Sequence, residues 1–192
     1  NNRTNGTGAL LTDSITVSKK RTTEVIIRER ASLPKPGLNI SIAISLIKNN
    51  NRFEWFLEKA AEIGVSEIIP LICHRTEKNT MKKERMRNII VSAMLQSRQQ
   101  WIPELKDPVK FNEVLKGAAN YDQKFIAHCK HGKKKTLNDF DKSDGPQIIL
   151  IGPEGDFAEN EIKEAAENNF IPVSLGETRL RTETAGIVAA VL

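Results

Sequence analysis

The sequence predicts an α/β fold with a mostly parallel sheet, preceded by a short β segment. Three observations carry this reading. From residue 38 onward, short apolar runs alternate with stretches of helical periodicity. Two of the runs open directly into glycine-bearing turns, Gly152-Pro153-Glu154-Gly155 and Gly176, as sites that bring main-chain amides against a small ligand require. Before residue 34 the pattern is extended, with β-branched Val25, Ile26 and Ile27 side by side.

In chain order, NNRTNGTG reads as a loop rather than a domain start, so more sequence is expected ahead of it. Strands are predicted over 9–17 and 23–30, separated by Ser-Lys-Lys-Arg, and Leu33–Gly37 (LPKPG) is a linker by composition. Asn39–Leu46 alternates polar and apolar residues, as a strand does. After a turn at 49–51, Phe53, Phe56, Leu57, Ala60 and Ala61 define a helix over 52–63 that Gly64 closes. A buried strand follows at 67–72. Met86, Ile89, Ile90, Ala93 and Met94 then mark one face of a helix over 77–96. Trp101–Leu105 is extended because Pro103 cannot continue a helix. A short helix at 111–115, a strand at 122–129 and a basic loop at 130–135 come next. Strand 147–151, helix 159–168, strand 171–175 and helix 182–192 complete the chain. Thr182 is the expected N-cap of the last helix, whose apolar circumference predicts burial on more than one face.

Hydrophobic residues make up 39% of the 192 and charged residues 28%, the balance of an ordinary globular chain rather than a disordered one. Ala185–Leu192 is the longest apolar run and is far too short to span a bilayer. No signal segment opens the sequence, and a cytosolic setting is the expectation. Cys73 and Cys129 are too few for a disulfide framework and are expected as buried or neutral thiols. Charge is uneven: residues 144–192 carry nine acids and three bases, so the rest of this net +5 chain is strongly basic. That asymmetry points to a polyanionic partner, nucleic acid foremost, with a merely solvated basic face as the alternative.

Neither G-x-G-x-x-G nor G-x-x-x-x-G-K-[ST] occurs, so a nucleotide-like ligand would be held in another way. The segments that stand out are IGPEGDF (151–157) and VSLGETRLRTETA (173–185), with FLEKAAEIGV (56–65), PLICHRTEK (70–78) and Gln96-Ser97 upstream. Together they resemble the RsmE family of 16S rRNA (uracil N3) methyltransferases, across residues 38–192 and in the expected order. The chain departs from that pattern in places. Asp156 stands where the family usually has a second glycine, still able to cap the helix that follows, and Ala158 where it often has serine. The frequent Q-S-G-R is here Gln96-Ser97-Arg98-Gln99, with the basic side chain one place early.

The resemblance implies a SPOUT-class domain over 38–192 with a deep trefoil knot, preceded over 1–34 by the tail of a PUA-like RNA-binding barrel. It implies S-adenosylmethionine as methyl donor and no metal; His74, His128 and His131 form no metal-ligand spacing of their own. Donor contacts would come from His128, from Ile151, Gly152, Pro153, Glu154 and Gly155, and from Ser174, Leu175, Gly176, Leu180 and Thr182. Leu175 and Leu180 would pack on adenine, and Glu154 would bind donor hydroxyls or cap a turn. Uracil N3 carries a proton and becomes nucleophilic only as that proton leaves, so a cation beside the site would stabilise the developing anion. Arg181 is the first choice, with Arg179 beside it; Arg181 paired to Glu183 or Glu177 is the plainer reading. Glu183 is the weaker candidate, as general base. RNA phosphates would be met by Lys19, Lys20, Arg21, Arg28, Arg30, Lys82, Lys83, Arg85, Arg87 and Arg98. Trp101 would stack on the target base or serve as an interface residue. The last helix would form a two-fold homodimer. Another RNA substrate such as tRNA, and a non-catalytic RNA-binding relative, are the alternatives.

Overall fold

The computed structural model describes residues 2–18, 23–34, 39–130, 132–141 and 143–191. Lys19, Lys20, Arg21, His131 and most of the predicted linker lie outside the described residues. Strands β1 (Asn2–Thr4), β2 (Ala9–Ser18) and β3 (Thr23–Ser32) form a three-stranded antiparallel sheet. The opening is therefore not wholly loop: Asn2–Thr4 finds ladder partners on residues 10–12, a pairing that no local pattern announces.

The main sheet contains β4 (Ile40–Ser45), β5 (Glu67–Ile72), β6 (Glu104–Leu105), β7 (Val109–Lys110), β8 (Gln123–Ala127), β9 (Lys135–Thr136), β10 (Gln147–Ile151) and β11 (Ile171–Ser174). Its order is β6-β5-β4-β10-β8-β11-β9, with β7 also on β5, and every described pairing is parallel. Parallel strands need crossovers that cover both faces. Here α1 (Asn50–Ile63), α2 (Lys83–Gln96) and α5 (Thr182–Val191) cover one face, and α3 (Phe111–Gly117) and α4 (Glu159–Glu167) the other. The period-2 rule assigns the strand side chains. Ile42, Ile44, Phe125, Ile149 and Ile151 join Phe53 and Phe56 in one core, while Ala43, Ile126, Ile148 and Leu150 join Phe111, Phe157 and Phe170 in the other.

The predicted apolar faces of the first two helices are the ones buried, save that Ile89 is only partly covered. Asn49 caps α1 by accepting from the Asn51 amide at 3.0 Å, and Gly64 ends it at φ 91°, a left-handed conformation that favours glycine. Helix α2 starts at Lys83, six residues later than predicted. The intervening stretch is tied elsewhere: Thr76 accepts from the Cys73 amide and shares a hydrogen bond with Ser45, Glu77 pairs with Lys48, and Lys78 donates to Asn50. Helix α5 buries Thr182, Glu183, Gly186, Ala189 and Ala190, packs against α1 and β4 with Ala185 and Ile187 partly covered, and leaves Val191 exposed at its end.

The two sheets meet through the 97–102 turn. The Gly8 amide donates to Gln100 O (3.0 Å) and the Ile102 amide to Gly6 O (2.9 Å). Trp101 donates from Nε1 to Pro34 O (3.1 Å) and lies so close to Gly8 that an added Cβ would stand 2.4 Å from its ring. Trp101 is thus an interface residue, not a platform for a base. At the N-terminal ends of β4 and β5, Glu67 accepts from Tyr121 Oη (2.6 Å) and Ser41 Oγ (2.7 Å) and pairs with Lys106 (3.2 Å). Among the described residues no helix is long and apolar enough to cross a membrane.

Candidate functional site

Because the strands are parallel, β8, β10 and β11 all end at one edge, and the loops after them converge there. They enclose two adjoining cavities of about 390 and 410 Å³, each within the size range of small-molecule sites. The first is lined by Arg52, Ile151, Gly152, Pro153, Glu154, Asp156, Arg181 and Thr182, and the second by His128, Lys134, Ser174, Leu175, Gly176 and Glu177. Ala127, Cys129, Arg179, Leu180 and Ala185 belong to both. Apolar residues such as Ile151, Leu175 and Leu180 share the lining with charged ones, Arg52, Glu154 and Arg181 among them.

Each loop is locked by a specific contact. Asp156, at φ 64°, accepts from the Cys129 amide (2.9 Å) and from the Phe157 amide (2.8 Å). It therefore joins two site loops instead of capping α4 as expected. The start of α4 is served by Glu161, which accepts from the amides of Ala158 and His74, both at 2.8 Å. Gly152 lies against Phe157, where a Cβ would come within 3.0 Å of the ring. Thr182 Oγ1 donates to Gly152 O at 3.1 Å, so its hydroxyl binds the facing loop rather than capping α5; the first helical bond runs from the Ala185 amide to Arg181 O. Arg75 donates to Gly155 O at 2.6 Å. Gly155 lines neither cavity, because the turn carries it outward against Arg75.

Ser174 Oγ donates to Gly176 O at 2.9 Å, and Gly176 adopts φ 134° with nothing within 4 Å of where a Cβ would stand. Lys134 donates to the carbonyls of His128 and Lys130, closing the basic loop over the second cavity. His128 Nδ1 accepts from the Lys130 amide (3.2 Å), which places the neutral ring's proton on Nε2. Burial, then the neighbouring Lys134 charge, push the His128 pKa down.

The charges are arranged differently from the sequence expectation. Glu183 pairs with Arg52 (Nε to Oε1, 3.7 Å), not with Arg181, and Arg52 also reaches Glu154 (Nη1 to Oε1, 3.6 Å). Glu183 Oε2 is buried and has no hydrogen-bond partner among the described residues. Arg179 and Arg181 are exposed at the cavity and, among the described residues, form no ion pair. Sequence reasoning missed Arg52, Cys129 and Lys134. Arg52 reads as an ordinary first-turn helix residue, and only its helix's placement at the strand ends brings it to the site.

Of the predicted phosphate contacts, Arg28, Arg30, Lys82, Lys83, Arg85, Arg87 and Arg98 are exposed. Lys83 is held by Asp107 (2.7 Å) and Arg85 is forked onto Glu54 (2.6 and 2.9 Å). Arg98, at φ 58°, follows α2 beside Gln99, which bonds Glu62 O near the far end of α1. It stands at the opposite end of the sheet from the cavities.

A parallel α/β sheet with these strand-end loops is the architecture of solved RNA methyltransferases. A probable rRNA-methyltransferase from Porphyromonas gingivalis superposes with a TM-score of 0.93 at 35% identity, covering 98% of this chain and 81% of that one. A ribosomal RNA small subunit methyltransferase E from Neisseria gonorrhoeae, solved bound to S-adenosyl methionine, gives 0.89 at 29% identity, covering 98% and 79%. The RNA methyltransferase domain family matches residues 34–192. The ribosomal RNA small subunit methyltransferase E of Mesomycoplasma hyopneumoniae is 32% identical over 160 residues, 80% of this chain and 68% of that protein. The chain spans about half, 54%, of a Synechocystis relative of the same name. It belongs to the ribosomal RNA small subunit methyltransferase E family of RNA methyltransferases.

Proposed function

We propose that this chain is an S-adenosylmethionine-dependent methyltransferase acting on N3 of a uridine in small-subunit (16S) rRNA. The observation that carries the reading is the convergence of Gly152, Gly176 and Leu180 on two adjoining cavities at the strand ends, beside Arg179 and Arg181, which form no ion pair among the described residues. The residues present fit the donor. Leu175, Leu180, Ala127 and Ile151 offer apolar walls for a purine, Gly176 leaves its main chain open, and Glu154 and Asp156 offer carboxylates to hydroxyls and to a cationic sulfonium. When bound, S-adenosylmethionine supplies an activated methyl group, whose carbon–sulfur bonding pair stays on sulfur as the new N3–carbon bond forms.

The chain's own residues bind, orient and manage charge. Arg181, assisted by Arg179, stabilises the uracil anion as N3 loses its proton, and Glu183 takes that proton. Lys82, Arg87, Arg28 and Arg30 set affinity for the phosphate backbone. Residues 38–192 form the methyltransferase unit, and 1–34 belong to a PUA-like RNA-binding β domain. A deep trefoil knot of the SPOUT class fits the passage of the 175–181 segment against the 151–153 turn, where Thr182 binds Gly152 O. The apolar end of α5, where Val191 is 67% exposed, fits a two-fold homodimer. A ribosomal substrate in turn implies a cytoplasmic setting. The test combines donor calorimetry with transfer of labelled methyl to purified small subunits. Arg181→Ala should keep donor affinity within a few-fold and lose about 10²–10³ in kcat. Label appearing in tRNA instead, or no donor binding, would replace this reading.

A further inference from the structure

We infer that Asp156 is a positioning residue for donor binding, acting through the main chain of Cys129; the inference rests on the methyltransferase reading above. Asp156 holds φ 64°, a left-handed conformation that aspartate tolerates better than most side chains but that still costs energy. Its own amide donates to Pro153 O at 2.8 Å and closes the turn after β10. With the backbone set this way, the carboxylate takes two main-chain donors. Oδ1 accepts from the Phe157 amide (2.8 Å) and Oδ2 from the Cys129 amide (2.9 Å). Both distances lie in the normal hydrogen-bond range, and amide bonds to a carboxylate are the stronger kind. Glycine, the usual residue at this place in the family, suits the same φ but has no acceptor. The carboxylate therefore adds a contact that the turn itself does not need.

The two ends of this link differ in how firmly they are held. On the turn side, Phe157 is fully buried against Gly152, and Thr182 donates to Gly152 O (3.1 Å). On the other side, β8 ends at Ala127, and the described ties of 128–130 are mostly local. The Lys130 amide bonds His128 Nδ1, and Lys134 bonds the carbonyls of His128 and Lys130. The Lys130–Glu159 pair reaches outward (2.8 Å), but its side chains are 43% and 83% exposed, where an ion pair adds little. Among the described residues, the bond from the Cys129 amide to Asp156 is thus the main-chain tie between this segment and the β10 turn. Cys129 lines both cavities and Asp156 the first, so that bond sets where the two spaces meet. A donor that occupies both passes Cys129, and a segment already in place spares the cost of ordering it on binding.

The experiment compares Asp156→Gly and Asp156→Asn with the wild-type full chain. It uses calorimetry with S-adenosylmethionine, methyl transfer to small ribosomal subunits, and residue-resolved amide hydrogen exchange of the ligand-free protein. Asp156→Gly keeps the left-handed backbone accessible and removes both acceptors. It raises donor Kd by about 5- to 30-fold, the worth of a carboxylate–amide bond converted to affinity, because a smaller share of the free chain is ready to bind. The Cys129 amide exchanges faster by a similar factor without ligand, while kcat at saturating donor and subunits stays within a few-fold. Asp156→Asn tolerates the same φ and keeps one acceptor oxygen, so it recovers part of both losses. Either change without the other overturns the inference. A weaker Kd with unchanged Cys129 exchange marks a direct contact between Asp156 and the donor, and faster exchange with unchanged Kd marks a tie that the donor does not use. Wild-type values for both in Asp156→Gly overturn it equally. If Asp156→Gly melts early, the same two measurements on Asp156→Asn decide. A wild-type chain that binds no donor sinks the functional reading itself, and this inference with it, whereas donor binding and rRNA labelling by wild type leave that reading intact whatever the variants do.

Discussion

Two glycines that look alike in sequence should fail differently when given a methyl group. At Gly152 an added Cβ would stand 3.0 and 3.1 Å from Phe157 ring carbons and 3.2 Å from the Phe157 amide nitrogen. Phe157 is fully buried and packs tilted against Phe111, with ring centroids 5.4 Å apart, so the ring cannot give way cheaply. Overpacking of this kind costs about 1–3 kcal/mol, offset by about 0.4–1 kcal/mol from the stiffer unfolded chain. The net of about 1–2 kcal/mol lowers Tm by roughly 2–8 °C for a chain of this size. At Gly176 nothing lies within 4 Å, and the penalty comes instead from φ 134°. Holding alanine there costs about 1–3 kcal/mol. The turn is exposed and is bonded mainly to its own Ser174. The free protein can therefore relax it, and the donor must restore it, which weakens binding by roughly 5- to 150-fold. Thermal melts without ligand and calorimetry with S-adenosylmethionine separate the two. The reasoning is refuted if Gly176→Ala lowers the ligand-free Tm as much as Gly152→Ala while leaving donor affinity intact.

Stability should fall at both pH extremes through groups at and beneath the sheet. Burial opposes ionisation of Glu67, yet hydrogen bonds from Tyr121, Ser41 and Lys106 win and lower its pKa below 4.5. Its contribution is present above that pH and is lost as pH drops through the lowered value. Burial pushes Tyr121 from 10.0 up to about 12 and the Cys73 thiol from 9.0 up to about 12. The fold holds both protons more tightly than the unfolded chain, so this stability is complete below about pH 9 and declines toward pH 12; Tyr121→Phe should flatten the loss above pH 10, and an unchanged alkaline limb would contradict the assignment. The cysteines should separate in a thiol-labelling assay. Cys129 is exposed and lines both cavities, so it reacts quickly and S-adenosylmethionine protects it, whereas Cys73 reacts only on unfolding. Equal native rates for the two would count against the described burial.

Much of this protein could be read locally. Strand β5 and the apolar faces of α1 and α2 follow from periodicity alone, because a 2.0 or 3.6 repeat fixes which side chains share a face. The glycine turns at 152–155 and 176 were legible for the same reason, since strand-then-glycine is a local pattern, and the loops that carry them line the two cavities. The start of α2 was misplaced because Glu77 and Lys78 favour helix in isolation but are captured by Lys48 and Asn50, a choice that exists only once α1 is in place. Asp156 and Thr182 kept their hydrogen-bonding chemistry but changed partners, each reaching across to a loop distant in sequence, Cys129 and Gly152 respectively. Arg52 is invisible in sequence as a site residue, since 131 positions separate it from Glu183 and only the parallel sheet, which sends every strand end to one edge, brings them together. The sequence by itself determined most of the elements, their buried faces and the glycine turns that follow the strands. The tertiary structure alone decided which charges pair there, because ion pairing depends on distance through space and not on spacing along the chain.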